Sequence, residues 1–139
     1  MSYKYSICYP DKAEIEYRNN LISSDEALNI AKNYPWLEQL NLMEKLDQNK
    51  VYFNPSLDFN STKDGKSFAL TAHYGNNRNL EFSLWYNRQK KVKVLFGILG
   101  EKEKMSVDDA WSMDFENAIK YLQHFLNGEF QIVEKLFKK

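Results

Sequence analysis

His73 and Glu81 are the residues whose types and spacing could do chemistry, and they stand eight positions apart in SFALTAHYGNNRNLEFSLWY. A carboxylate beside an imidazole can raise the pKa of the imidazole and orient the ring, which is half of a general-base arrangement. The other half would be a nucleophile or a metal ion. Ser83 and Thr71 are nearby but form no nucleophile-elbow motif, and His124 has no Cys, Asp or Glu at metal-ligand spacing. We therefore predict no catalytic residue, no metal site and no cofactor.

Alternating apolar residues indicate the strands that must position this pair. Only one pairing register keeps the even-numbered apolar residues on a single face, and it sets Leu70 opposite Leu84 and Ala72 opposite Phe82. The same register places His73 opposite Glu81. We also expect a turn at NRQKK and a third strand over residues 92–98, so that Val94 lies beside Leu84 and Phe96 beside Phe82.

Trp85 shares the polar face of this meander with His73 and Glu81, and the predicted third strand sets Lys93 and Leu95 beside it. An exposed aromatic side chain among polar groups is typical of a binding hot spot. If helices cover only the even-numbered face, this patch is free for a partner. If helices cover both faces, Trp85 is part of the core. Both alternatives are open at this point.

Charge is unevenly distributed, although 19 basic residues balance 19 acidic ones. Residues 78–93 hold five basic residues and one acidic residue, whereas residues 101–116 hold six acidic and two basic ones. We expect the acidic segment to be a loop with a short helical turn from Ser106. It is either an ordinary solvated surface or, with Trp111, a surface that meets a basic protein. Its acidic residues are Glu101, Glu103, Asp108, Asp109, Asp114 and Glu116.

The N-terminal half predicts a hairpin, two helices and a further strand. Alternation on either side of PDK sets Ile7 opposite Ile15 and Tyr5 opposite Tyr17. Ser23 and Glu26 have the spacing of a capping box, and the apolar spacing around Pro35 indicates two helices. A strand follows near residues 51–60, with the Asp-Gly turn setting Phe59 opposite Leu70.

The C-terminal part predicts two more helices. Asp114 is a plausible cap, an apolar stripe follows it, and Gly128 stands where a left-handed residue ends a helix. Together these elements predict one α+β domain over residues 1–139. In it, an antiparallel meander of about four to six strands packs against helices from the N-terminal half and the C-terminus.

Composition limits the classes of partner. The chain has 139 residues, 43% of them hydrophobic, with nine Tyr, nine Phe and three Trp. That supports a packed core, while the zero net charge argues against a nucleic-acid or membrane partner. The sequence shows no signal peptide and no membrane span, so we expect a cytoplasmic protein. Cys8 has no partner for a disulfide and is expected to be a packed small residue. The oligomeric state is not indicated.

The order of elements, including the meander SFALTAHYGNNRNLEFSLWYNRQKKVKVLFG and the closing helix DFENAIKYLQHFLNGE, resembles small bacterial immunity proteins of the polymorphic-toxin and contact-dependent-inhibition type. The resemblance implies a cytoplasmic, non-enzymatic protein that binds one cognate protein toxin and blocks its active site or its assembly. An alternative is a small-molecule-binding or enzymatic domain that uses His73 and Glu81, with nearby tyrosines, in a cavity between sheet and helices. A structural or assembly subunit is a third possibility.

Overall fold

The computed structural model describes residues 2–93 and 101–137, and the side chains of residues 89–93 and 101–106 lie outside that description. The predicted α+β fold is confirmed. Six antiparallel strands form one sheet in the order β2-β1-β3-β4-β5-β6. The elements are β1 (Tyr3–Cys8), β2 (Glu16–Ile22), α1 (Ser24–Asn33), α2 (Trp36–Lys45), β3 (Ser56–Ser61), β4 (Ser67–Tyr74), β5 (Leu80–Lys93), β6 (Glu101–Asp114), α3 (Phe115–Leu126) and α4 (Phe130–Phe137).

The helix ends form as the sequence predicts. The Ser23 side chain accepts a hydrogen bond from the backbone N–H of Glu26, and the Glu26 carboxylate accepts one from the N–H of Ser23. Asp114 caps α3, and Gly128 follows that helix with a φ of 76°. No helix in the described residues is long and apolar enough to cross a membrane.

All four helices lie on the side of the sheet that carries the even-numbered residues of β4 and β5. The predicted pairs Leu70 with Leu84 and Ala72 with Phe82 are confirmed, and their side chains are fully buried. Their neighbours on the same face meet the helices through aromatic contacts. These are Trp36 of α2 against Phe82 at 4.9 Å between ring centroids, Phe125 of α3 against Phe68 at 5.5 Å, and Phe137 of α4 against Tyr86 at 6.0 Å.

The predicted register of the N-terminal hairpin is wrong by one residue. Ile7 lies opposite Glu16 rather than Ile15, and Tyr5 lies opposite Arg18 rather than Tyr17. Tyr17 is 68% exposed as a result. β2 is an edge strand, and its central residues are exposed. The register predicted from alternation would not have buried its apolar side chains, so burial does not select that register.

The predicted register between β3 and β4 is wrong by two residues. Phe59 lies opposite Phe68 and Leu57 opposite Leu70, because the link is longer than an Asp-Gly turn and closes with a hydrogen bond from the Ser61 N–H to the Lys66 carbonyl. An even shift keeps the same residues in the core. The strand also begins later than predicted, since residues 51–55 precede it without strand pairing.

The predicted turn at NRQKK and the predicted acidic loop are both wrong. Strand β5 continues to Lys93 and pairs with β6, so Leu84 lies opposite Ala110 and Trp85 opposite Asp109, not Lys93. No helical turn starts at Ser106, which is part of β6. Two pairs of opposite charge, Lys91 with Glu103 and Lys93 with Glu101, favour this pairing over residues 89–93 and outnumber the one like-charge pair there, Lys90 with Lys104. Val94, Leu95 and Phe96 lie outside the described residues.

One extra residue interrupts the pairing of β5 with β6. Leu84 lies opposite Ala110, but Phe82 lies opposite Met113. Over this interval β6 therefore contains one residue more than β5. Ser112 has a φ of 65°, the left-handed conformation that non-glycine residues seldom adopt. Trp111 points away from the helices, as Asp109 does two residues earlier, and the β-bulge after it returns Met113 to the core cluster.

Candidate functional site

The odd-numbered residues of β4 and β5 point away from the helices and form what we call the open face. Because side chains alternate along a strand, the residues paired with them on β3 and β6 share this face. Trp85 is half-buried here and lies outside the helix-packed core, which decides between the two sequence-based alternatives. The main members of the open face are Asp58, Thr71, His73, Ser83, Trp85, Asn87, Asp109 and Trp111.

Two tryptophans and a histidine are grouped on this face. Trp85 and Trp111 contact each other edge to face, with centroids 5.7 Å apart and planes at 74°, and the His73 ring lies 5.9 Å from Trp111. Trp85 Nε1 donates a hydrogen bond to Thr71 Oγ1 at 3.1 Å. Trp111 Nε1 donates to Asp109 Oδ2 at 2.7 Å. The indole of Trp111 is nevertheless 59% exposed, which is unusual for so large an apolar side chain.

A depression of about 440 Å³ opens beside this aromatic group. The segment before β3 contributes to it together with β3, β4, β5 and β6. Ser56 Oγ donates to the Asn54 carbonyl at 3.0 Å and lies 2.9 Å from Thr71 Oγ1, which fixes these three residues relative to one another. The lining residues are Tyr52, Phe53, Asn54, Ser56, Thr71, His73, Ser83 and Trp111.

Several buried polar atoms on the open face have no hydrogen-bond partner among the described residues. They are Asp58 Oδ1, His73 Nε2, Ser83 Oγ and Asn87 Oδ1. Ser83 is only 1% exposed. Leaving such an atom unpaired costs about 1–3 kcal/mol, so a face with four of them is not optimised for stability alone.

Asp58 has the most perturbed environment of these residues. Its neighbours across the sheet are Ser6 on β1 and Ala69 on β4, and burial raises the pKa of its carboxyl to about 6. Burial also raises the pKa of the Cys8 thiol, and the charge of Asp58 adds to that effect. Both effects favour the neutral thiol, and Cys8 is partly buried.

His73 and Glu81 lie opposite each other as predicted, but they do not form a general-base pair. Among the described residues, no hydrogen bond or ion pair joins the two side chains. The carboxylate of Glu81 instead packs on Gly75, where a methyl group would overlap it. His73 also faces away from the helices, so the predicted alternative of a cavity between sheet and helices cannot use it. In the described part of the chain, no cluster of three or more His, Cys, Asp or Glu could hold a metal ion.

The acidic residues predicted to form one surface are divided between different environments. Asp108 points to the helix side and pairs with Arg88, whose Nε also lies 3.3 Å from Glu134 Oε1. Asp114 caps α3, where its Oδ1 accepts a hydrogen bond from the Asn117 N–H at 2.8 Å. Asp109 lies opposite Trp85 on the open face, and Asp114 lies opposite Glu81 at the end of that face with its carboxylate engaged in the helix cap. Glu101, Glu103 and Lys93 are placed by strand pairing only, and Glu116 is exposed on α3.

Sequence reasoning missed part of this site. Residues 52–54 line the depression, but alternation assigned them to a strand, and nothing in their types indicated otherwise. Asp58 could have been found, since it is the one carboxylate between the core positions Leu57 and Phe59. His124, for which the sequence predicts no metal site, lies on α3 with its Nδ1 3.2 Å from Glu129 Oε1.

Comparison with known proteins assigns this chain to no family. No protein-family model, curated protein or solved structure matches the chain. The site has to be interpreted from its own residues.

Proposed function

We propose that this chain is a protein-binding module whose open face contacts its partner, and that it serves as an immunity protein that neutralises a cognate bacterial toxin in the cytoplasm without catalysis. The observation that carries the binding role is Trp111, 59% exposed and packed on Trp85 on a sheet face that no helix in the described residues covers. Exposed aromatic clusters of this kind supply much of the energy of protein interfaces.

The electrostatics of the site also favour binding over catalysis. No described side chain hydrogen-bonds to His73 Nε2, so the ring is not oriented by a carboxylate as in a general-base pair. Asp109 instead holds the Trp111 indole at 2.7 Å. Fixing an exposed ring before binding reduces the entropy lost when a partner docks.

The toxin-neutralising role rests on the resemblance of the element order to immunity proteins and accounts for this face without a reaction. An immunity protein has to cover a surface of its toxin, and a two-layer domain with one unoccupied sheet face supplies a broad area for that contact. The gene next to this one is then expected to encode the toxin.

Small-molecule binding is a second candidate, favoured by the depression that Ser83 and His73 line. A buried hydroxyl and an imidazole nitrogen without partners are the kind of convergent polar groups that fix a ligand. This candidate places the ligand on the open face rather than beneath the helices.

The test is co-expression of the toxin domain encoded by the neighbouring gene with this chain in growing cells. The wild type should restore growth, and Trp111→Ala should raise the Kd of the purified complex by about thirtyfold, as loss of a hot spot does. Leu37→Ala is the matched control, because Leu37 is 52% exposed but lies on α2, on the helix-covered side of the sheet. Neutralisation should need one equivalent of this chain per toxin.

Three results would contradict the proposal. Trp111→Ala could bind the toxin as tightly as Leu37→Ala, which would contradict the open face as the binding surface. Full neutralisation at about a tenth of an equivalent would indicate turnover and therefore an enzyme. Absence of any toxin gene beside this one, with no toxin neutralised, would leave no basis for the immunity role.

A further inference from the structure

We propose that the depression on the open face receives a positively charged side chain, arginine or lysine, of the partner protein. This inference rests on the proposed function and names the chemistry of the contact. It combines two properties of the described lining, exposed aromatic rings and buried hydrogen-bond acceptors without partners, with a carboxylate outside the lining that is hydrogen-bonded to Trp111.

The aromatic rings supply a surface for a cation. Trp111 is 59% exposed and Tyr52 is 55% exposed, and both line the depression. A guanidinium or ammonium group over such a face is attracted by the negative face of the ring. Elsewhere the chain makes this contact internally, with Lys66 over Phe130 at 3.9 Å and Arg78 over Tyr74 at 4.5 Å. None of the described basic side chains lies over Trp111 or Tyr52.

Asp109 adds a negative charge of defined position. Its Oδ2 is held by Trp111 Nε1 at 2.7 Å, so the carboxylate is fixed beside the ring that a cation would contact. Among the described residues, those that line the depression include no lysine and no arginine. The local charge therefore complements a cation and repels a carboxylate or phosphate.

The buried polar atoms match a donor rather than an apolar group. Ser83 Oγ can accept a hydrogen bond, as can the ring nitrogen of His73 in one neutral tautomer, and both atoms lack partners in the described structure. Arginine and lysine carry only donors at their charged ends. An apolar side chain would fill the space but leave both atoms unpaired.

The test uses the full chain labelled with ¹⁵N and follows its three tryptophan indole N–H signals. The probes are N-acetylarginine amide and N-acetylcitrulline amide, which have nearly the same shape but differ in charge. The arginine probe should shift the signals of Trp85 and Trp111. Trp36 is an internal control, because its buried indole donates to the Ala31 carbonyl at 3.0 Å on the helix side.

The expected preference for the arginine probe over the citrulline probe is about three- to thirtyfold in Kd, the range that a cation and an aromatic ring support. Asp109→Asn should remove most of this preference. Asp25→Asn is the matched control, since it removes an exposed acidic group from α1, away from the open face, and should leave the preference unchanged.

Equal shifts with both probes, or no shift of Trp85 and Trp111, would overturn this inference. The outcome is separable from that of the proposed function. If Trp111→Ala weakens toxin binding while the two probes behave alike, the cation site is wrong and the binding face stands. If the arginine probe is preferred while Trp111→Ala leaves toxin binding intact, the depression binds cations but the face is not the toxin interface.

Discussion

On the helix-covered face of the sheet, Phe82 and Leu84 are fully buried and pack against apolar side chains, whereas the open face one residue away carries Ser83 and Trp85. The covered face is apolar and closely packed. The open face combines unpaired buried polar atoms with a large exposed indole. The same two strands therefore build both surfaces, and only the parity of the residue number separates them.

This difference indicates a division of roles between the two faces. Burial of apolar area on the covered face supplies the free energy that holds the sheet and helices together. The open face contributes less to the stability of the fold. It contains buried polar atoms without hydrogen-bond partners among the described residues, which lowers the free energy of unfolding. A cost of this kind is expected where residues serve recognition instead of stability.

The largest expected effect compares one aromatic truncation on each face. Phe82→Ala removes a buried ring that contacts Trp36 and Phe115, and it should lower the free energy of unfolding by about 3–5 kcal/mol. Trp111→Ala should lower it by less than about 1 kcal/mol, because the indole is mostly exposed. Urea unfolding measures both variants. Comparable losses would mean that Trp111 is a core residue and that the two faces do not differ as described.

The next effect concerns pH and Asp58. Burial raises the pKa of this carboxyl to about 6 in the folded chain, so the folded state binds a proton more tightly than the unfolded state does. The charged carboxylate therefore destabilises the fold by on the order of 3 kcal/mol at pH 7, and that penalty disappears as the pH falls from about 7 to about 4.

Asp58→Asn carries no charge and should be more stable than the wild type at pH 7, with the advantage shrinking as the pH falls through 6. Unfolding of both proteins in urea at a series of pH values measures this difference. A difference that does not change between pH 7 and pH 4 would show that the carboxyl is not buried on the open face.

A smaller effect separates two neighbouring aspartates. Asp108 pairs with the mostly buried guanidinium of Arg88 on the helix side, so Asp108→Asn should cost about 1–2 kcal/mol of stability. Asp109→Asn removes an exposed carboxylate and should change stability by less than about 0.5 kcal/mol. Thermal unfolding of the two variants gives the comparison. Reversal of the order would mean that the faces of β6 have been assigned the wrong way round.

The smallest effect is expected at Ser83. Its hydroxyl is buried without a partner in the described structure, so Ser83→Ala removes a polar atom that contributes nothing to the fold. Stability should stay within about 0.5 kcal/mol of the wild type or rise slightly. A loss above about 1 kcal/mol in chemical denaturation would indicate that the Ser83 hydroxyl forms a hydrogen bond in solution. The open face would then have fewer unpaired polar atoms than the structure shows.

The parts of the fold that follow from parity and capping could be predicted from the sequence. Leu70 opposite Leu84 was predicted correctly because any odd shift would expose an entire row of apolar residues. The cap of α1 at Ser23 was predicted because it depends on local spacing alone. His73 opposite Glu81 followed from the same register, although the absence of a bond between them did not.

Other features of the fold depended on strand pairings that the alternation of apolar and polar residues does not indicate. Strand β6 was predicted as a loop because its residues are charged, yet charged strands pair well when opposite charges face each other, as at Lys91 with Glu103. A search for complementary basic and acidic runs would have found this hairpin. The division of Asp108 and Asp109 between two faces then follows, since adjacent residues of a strand point in opposite directions.

The extra residue at Ser112 divides β6 into a stretch that faces the open side of the sheet and a stretch that faces the core. Asp109 and Trp111 precede it on the open face, whereas Met113 follows it in the core and Asp114 starts α3. Without the insertion, Met113 and Trp111 would point to the same side. The bulge thus uncouples the two stretches of β6, so substitutions at Asp109 and Trp111 change the open face while Met113 and the start of α3 stay in place.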